Sequence, residues 1–158
     1  MNLHDVQLRP ATENDAGFLR RLFFTIRAPE FQLAGLVGPQ LEMLLGQQYQ
    51  AMRTHYDRVY PDAQYVIFER DDEPVGYQAT LDTETLHLLD IALVPEWQNQ
   101  GLGTLRMRAL QQQATESGKP LTLTVEKFNP ALRLYQRLGF VVYDDSDVYQ
   151  RMRWTPSA

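Results

Sequence analysis

The 158-residue sequence contains no cysteine, which excludes disulfides, thiolate metal sites and a cysteine nucleophile together. Positive charge is scarce: 15 Lys and Arg stand against 20 Asp and Glu, a formal net charge of -5. Nucleic-acid binding needs a basic face that neutralises phosphates, and this composition does not advertise one. A cationic or amine partner is more natural. The three histidines, His4, His55 and His87, lack metal-ligand spacing, so no metal is expected. No apolar run approaches the roughly 20 residues of a membrane span, and the opening MNLHDVQLRPATEND has neither the basic nor the apolar segment of a secretory signal. A cytoplasmic location without a membrane partner is the expectation. Repeats, low-complexity tracts and Gly/Ser/Pro linkers are missing too, so residues 1–158 read as one domain.

What is present is a hydrophobic pattern that changes period along the chain. After a short strand at Val6-Gln7-Leu8, Thr12 with Asp15 reads as a capping pair, and Phe18, Leu19, Leu22, Phe23 and Ile26 fall on one helix face. The segment RAPEFQLAGLVG reads as a loop; a second helix then carries Leu41, Leu44, Leu45, Tyr49, Met52 and Tyr56 and stops before Pro61. Tyr65 to Phe68 and Val75 to Leu81 form a hairpin around an acidic turn, Asp71-Asp72-Glu73-Pro74. Leu86 to Val94 is apolar on both faces, as in a covered central strand. A helix follows, with Leu102, Leu105, Ala109 and Leu110 facing the sheet, and closes near Gly118. Next come a buried strand, Leu121 to Val125, a short helix begun by Asn129-Pro130 and ended by Gly139, and two strands flanking a turn at Asp144-Asp145-Ser146. Met43, Met52, Met107 and Met152 are most simply core filler. The order predicts an α/β domain: a mixed sheet of about six to seven strands with helices on both faces.

Between the central strand and its helix lies the uncharged stretch QNQGLG, Gln98 to Gly103. A helix opening exposes backbone N–H groups without intrahelical partners, and the aligned peptide dipoles make it electropositive. Glycines let that backbone approach an anion closely. A P-loop is excluded because Thr104-Leu105 follow Gly103 where Lys and Ser/Thr are required. A Rossmann fingerprint is excluded because Arg106 stands where a small residue belongs. Two readings of the loop remain: an anion cradle, or a tight turn with Asn99 capping the helix.

Read with its flanks, LLDIALVPEWQNQGLGTLRMRAL followed by LTLTVEKFNPALRLYQRLGF resembles the GNAT superfamily of acyl-CoA-dependent N-acetyltransferases. The family's Gln/Arg-x-x-Gly-x-Gly/Ala loop is met by Gln98, Gly101 and Gly103, and its Asn…Ala-x-x-Leu-Tyr-x-x-x-Gly-Phe theme by Asn129, Ala131, Leu134, Tyr135, Gly139 and Phe140. The two blocks cover about residues 86–140. The resemblance implies a mostly antiparallel, twisted GNAT sheet with a splay between two central parallel strands. It implies acetyl-CoA held by Gln98, Asn99, Gln100, Gly101, Leu102, Gly103 and Thr104, with Leu93 and Val94 offering backbone to the pantetheine, a free N–H near Ile91 or Ala92 polarising the acetyl carbonyl, and Asn129 nearby. Family members often carry Arg or Lys in this loop, whereas this chain offers amides there; cationic help would come from Arg106, Lys127, Arg133 or Arg137.

Acetylating an amine requires its neutral form, yet a lysine-type amine of pKa about 10.4 is protonated at neutral pH and an α-amino group near 7.7 to 8.0 much less so. A proton acceptor is needed, and the departing thiolate needs a proton or hydrogen bond. By the resemblance, Tyr135 serves the thiolate; without the motif it reads as a core aromatic. His87 and Asp90 are the base candidates, and a bulge is required to bring both to one face of the strand. Each has a structural reading too, a hydrogen-bonded strand histidine and a paired carboxylate; Glu84 and Glu126 are weaker alternatives. The expected partners are acetyl-CoA and a primary amine. The acceptor would lie over Arg27-Ala28-Pro29-Glu30-Phe31 and the hairpin acids Asp144, Asp145 and Asp147. The alternatives are a protein N-terminal acetyltransferase of the ribosomal-protein type and a non-catalytic acetyl-CoA-binding module. Exposed C-terminal edge strands allow a homodimer.

Overall fold

The computed structural model describes residues 2–157. In chain order the elements are β1 (Gln7–Pro10), α1 (Ala16–Leu33), α2 (Gly38–Val59), β2 (Gln64–Arg70), β3 (Glu73–Asp82), β4 (Leu86–Leu93), α3 (Leu102–Ser117), β5 (Leu121–Glu126), α4 (Ala131–Arg137), β6 (Val141–Asp145) and β7 (Tyr149–Trp154). The strands form one seven-stranded sheet in the order β1-β2-β3-β4-β5-β7-β6. Among the described residues only β4 and β5 pair in parallel; every other neighbour is antiparallel. Helices cover both faces, as the mixed α/β pattern requires. Among the described residues no helix is long and apolar enough to cross a membrane.

The larger core lies where α3 and α4 meet β4, β5 and β7: Leu86, Leu88, Met107, Leu110, Ala114, Leu121, Leu123, Val125, Tyr135, Phe140 and Met152. The inward side of α3 is Leu102, Met107, Leu110, Gln111 and Ala114. Leu105, expected to face the sheet, is 37% exposed. On the opposite face α1 and α2 bury Leu22, Leu41 and Leu45. Met107 and Met152 are core, whereas Met43 is 62% exposed.

Three sequence expectations are corrected. RAPEFQLAGLVG is not a loop throughout, because α1 continues through Pro29 to Leu33; proline removes one backbone bond, and the other turns hold the helix. The β2–β3 turn is only Asp71-Asp72, both with positive φ (51° and 64°), as a two-residue type I′ hairpin demands. Pro74 lies in β3, opposite Glu69 beside a bulge that leaves Val75 unopposed, where proline's missing N–H is tolerated. Asp144 and Asp145 belong to β6, paired with Arg151 and Gln150 of β7, so the last turn begins at Ser146.

Thr12 and Asp15 do form a capping box. Asp15 also accepts two bonds from Arg9, at 2.8 and 2.7 Å, and Arg9 reaches Glu69 at 2.9 Å. This triad ties β1, the start of α1 and β2 together. The Arg9 guanidinium pulls the 4%-exposed Asp15 carboxyl from 3.8 down to about 2. A depressed carboxyl contributes stability that is present above its unfolded pKa and lost as pH falls through its folded one. Asp15→Asn is therefore expected to cost roughly 2 kcal/mol at neutral pH, and the gap to wild type should close between about pH 4 and pH 2 in urea melts; a pH-independent difference would exclude this origin.

Candidate active site

The centre of the sheet is opened by one extra residue. In the β3–β4 ladder Thr80 pairs with Leu88 but Ala79 pairs with Asp90, leaving Leu89 unopposed. This is a bulge. It shifts the alternation so that His87, opposite Leu81, and Asp90, opposite Ala79, fall on the same face. The pairing of β4 with β5 stops at the same place: it runs only from Leu86 with Leu121 to Leu88 with Leu123. Beyond the bulge the two parallel strands part.

The gap forms the floor of a cleft of about 500 Å³. Phe23, Arg27 and Glu30 of α1 and Tyr56 of α2 form one wall, Tyr77, Asp90, Ile91 and Ala92 the floor, and Glu126, Phe128 and Asn129 the far side. Arg27 reaches across to Glu126 at 3.8 Å. Desolvation raises the Asp90 carboxyl above its ordinary range, opposed by bonds from the Tyr77 hydroxyl and the Ile91 N–H and by the charges of Arg27 and Arg53. His87 does not line this cleft. Its Nδ1 lies 2.7 Å from the Thr122 hydroxyl, and burial holds its pKa below the ordinary value. Of the two base candidates, only Asp90 meets the cavity. Glu126 lines its side, and the Glu84 carboxylate does not line it.

Tyr135 stands on the other face, 7% exposed, edge-on to Phe140 at 5.8 Å. Burial, and then the charge of Asp90, push its phenol up to about 12. It stays protonated at neutral pH and is available as a donor.

At the end of β4 the loop prepares the mouth of α3. The cap residue is Gly101, in a left-handed conformation (φ 89°), and no side chain caps the helix. Asn99, also at positive φ (60°), does not act as the cap. The first N–H groups of α3, beginning at Leu102, Gly103 and Thr104, are left for a guest. A Cβ placed on Gly103 would meet nothing within 4 Å, so the backbone there faces open space that a ligand can approach. Gln98, Asn99, Gln100 and Gly101 are all exposed. The Gln98 amide, however, donates to the Leu93 carbonyl at 3.0 Å, and the Val94 N–H goes to Val75 at 2.9 Å. Those backbone groups already have partners within the protein. Asn129 caps α4 through its Oδ1, which accepts from the Ala131 N–H at 2.9 Å, and lines the cleft beside Pro130.

The cations considered for the loop are dispersed. Arg106 turns to the sheet, donating to Gln78 at 3.2 Å and lying over the Phe68 ring. Lys127 pairs with Asp145 at 2.9 Å, while Arg133 and Arg137 are exposed on α4.

A family model described as an acetyltransferase (GNAT) domain matches residues 32–157. The chain belongs to the GNAT acetyltransferase family. Among solved structures, this GNAT enzyme is similar to the PaiA N-acetyltransferase of Thermoplasma acidophilum in complex with coenzyme A (16% identity, TM-score 0.71, 96% of this chain and 99% of that one). It is also similar to an acetyltransferase of Thermus thermophilus (24%, 0.68, 99% and 100%) and to the ribosomal-protein-S18-alanine N-acetyltransferase of Escherichia coli (17%, 0.67, 97% and 95%). These likenesses show the fold. No curated protein matches the sequence. The matched span begins at Gln32, so the wall bearing Arg27 and Glu30 lies outside it.

GNAT enzymes draw on acetyl-CoA, and the uncapped α3 mouth with its open glycine suits the diphosphate of that donor. If backbone rather than charge does the holding, Gly103→Ala should raise the melting point slightly, since alanine is worth up to about 1 kcal/mol over glycine in a helix, yet weaken acetyl-CoA binding in calorimetry. The wild-type affinity should fall only shallowly with added salt. A steep salt slope, or undiminished binding in Gly103→Ala, would count against backbone recognition.

Proposed function

We propose that the protein transfers the acetyl group of acetyl-CoA to a primary amine seated in the cleft, with Asp90 taking the amine's proton and Tyr135 donating to the departing sulfur. What supports this reading above all is the parting of β4 and β5 at Leu89, with a desolvated carboxylate on one side and a protonated phenol on the other. Acetyl-CoA supplies the activated acyl carbon when bound to the α3 mouth, through Leu102, Gly103 and Thr104. An acceptor enters as an ammonium and is attracted by Asp90 on the floor and Glu30 on the wall, while Glu126 is partly offset by Arg27. Asp90, its basicity strengthened by desolvation, takes one proton from that ammonium and so leaves a lone pair on nitrogen. The lone pair forms the nitrogen–carbon bond to the acetyl group as the carbon–sulfur bond breaks; the Tyr135 hydroxyl gives its proton to sulfur, and the second proton that the new amide nitrogen sheds restores the phenol. The carboxylates on the walls favour an acceptor carrying a further positive charge. Asp90 is preferred to His87 because His87 is directed to Thr122 and away from the cavity. β6, every residue of which is exposed, is the edge at which a homodimer would form.

Release of free CoA thiol with spermidine, 2-phenylethylamine and an alanine-initiated peptide tests the reaction and ranks acceptor classes. Asp90→Asn and Tyr135→Phe should each lose about 10²- to 10⁴-fold in turnover while retaining the calorimetric heat of acetyl-CoA binding; His87→Ala should retain most activity. Because burial raises Asp90, the acidic limb of kcat/KM should lie above the ordinary carboxylate range. Binding heat without thiol release from any acceptor would instead identify a non-catalytic binding module.

A further inference from the structure

Tyr77 is half-buried in β3 on the cleft floor, and acetyl transfer leaves its hydroxyl without a task. It pairs with Ala92 while Ala79, two residues on and on the same face, pairs with Asp90. That register aims the phenol along the sheet at the carboxylate, and its hydroxyl donates to Asp90 Oδ2. The ring stacks on Tyr65 with centroids 6.5 Å apart and planes at 20°. Phenylalanine would fill the same space and make the same stack; the hydroxyl is the part that engages Asp90. We infer that Tyr77 is a positioning residue for acetyl transfer: its hydroxyl pins Oδ2 of Asp90 and leaves Oδ1 for the acceptor amine. The inference rests on Asp90 being the proton acceptor.

Physical chemistry gives this bond two consequences. Burial and the Asp90 charge hold the Tyr77 phenol well above its ordinary value, so it remains a donor across the working range. A hydrogen bond to the charged form of a carboxyl favours that form, so Tyr77 offsets part of the desolvation that burial imposes on Asp90. Without it the carboxyl would hold its proton to higher pH and be empty less often when an ammonium arrives. The other groups around Asp90 are Arg27 and Glu30 from α1, Arg53 and Tyr56 from α2, and Tyr65 from β2. Glu126 at the end of β5 and Tyr135 of α4 complete the set. All of them are retained when only the Tyr77 oxygen is removed.

The test is the titration of the Asp90 carboxyl by ¹³C NMR on aspartate-labelled protein, assigned by its loss in Asp90→Asn. Tyr77→Phe should move the midpoint up by about one pH unit, with the acidic limb of kcat/KM for the best acceptor following it and the KM for acetyl-CoA unchanged. Site-specific 3-fluorotyrosine at position 77, a stronger donor of nearly the same shape, should move both down, and it serves if Tyr77→Phe does not fold. A midpoint unmoved by the replacement overturns the positioning role. Turnover of Asp90→Asn separates this inference from the reading beneath it. Full turnover there removes the proton acceptor and this inference together, while an inactive Asp90→Asn with an unmoved midpoint removes only the role of Tyr77.

Discussion

The structure depends on a single unopposed residue. A parallel strand pair in the middle of a sheet would normally bond along its whole length, and no small molecule would find room there. Leu89 breaks that continuity. The bulge turns Asp90 to the face that His87 occupies, ends the ladder with β5 after Leu88, and leaves the ends of both strands without each other as hydrogen-bond partners. Unpaired backbone groups in a buried place are costly unless something satisfies them, so the gap is stable only as a place that water or a ligand fills. The rest of the fold surrounds that place: α1 and α2 on one face, α3 and α4 on the other, and the Arg9–Asp15–Glu69 triad closing the β1 side.

The gap also divides the chemistry. In the function we propose, recognition of the donor falls to backbone, at a helix mouth whose cap is a left-handed glycine and whose loop has no charge. In the same proposal the handling of protons falls to side chains set at different depths. Asp90 is desolvated but receives bonds from Tyr77 and the Ile91 amide, so burial and hydrogen bonding oppose one another. For Tyr135, burial and the neighbouring carboxylate act in the same direction and keep the proton on oxygen. The net effect leaves the Asp90 carboxyl raised, suited to taking a proton, and the Tyr135 phenol raised, suited to keeping its own.

Much of this was legible in the sequence because it is local. The switch from helical to strand period, the Thr12–Asp15 cap, the glycine loop and the Asn129 to Phe140 theme are all contained within short windows. They fix the order of elements, the mixed sheet and the mouth of α3. What could not be read depends on partners far apart in the chain. The bulge follows from a register between β3 and β4, so sequence alone states the condition for bringing His87 and Asp90 together without showing that Asp90 alone enters the cleft. Tyr77 gave no signal, since an aromatic in an alternating strand looks like core filler until its neighbour across the ladder is known. Pro29 misled for the opposite reason: a strong local breaker was outweighed by the helix around it. Met43 and Leu105 were assigned inward by residue type and period, and lie outside because the buried stripe of α2 runs through Leu41 and Leu45 and that of α3 through Leu102, Met107, Leu110, Gln111 and Ala114.

Pro29 leaves a trace in α1 even though it does not end the helix. Having no N–H, it gives nothing to the carbonyl of Thr25 one turn earlier, and the turn that follows carries Glu30 and runs to Leu33, which is 92% exposed. That turn is held by fewer bonds and less packing than the stretch around Leu22, so it is the segment of α1 that frays at least free-energy cost. The α1 wall of the cleft is therefore held firmly around Leu22 and by fewer bonds at the rim that carries Glu30.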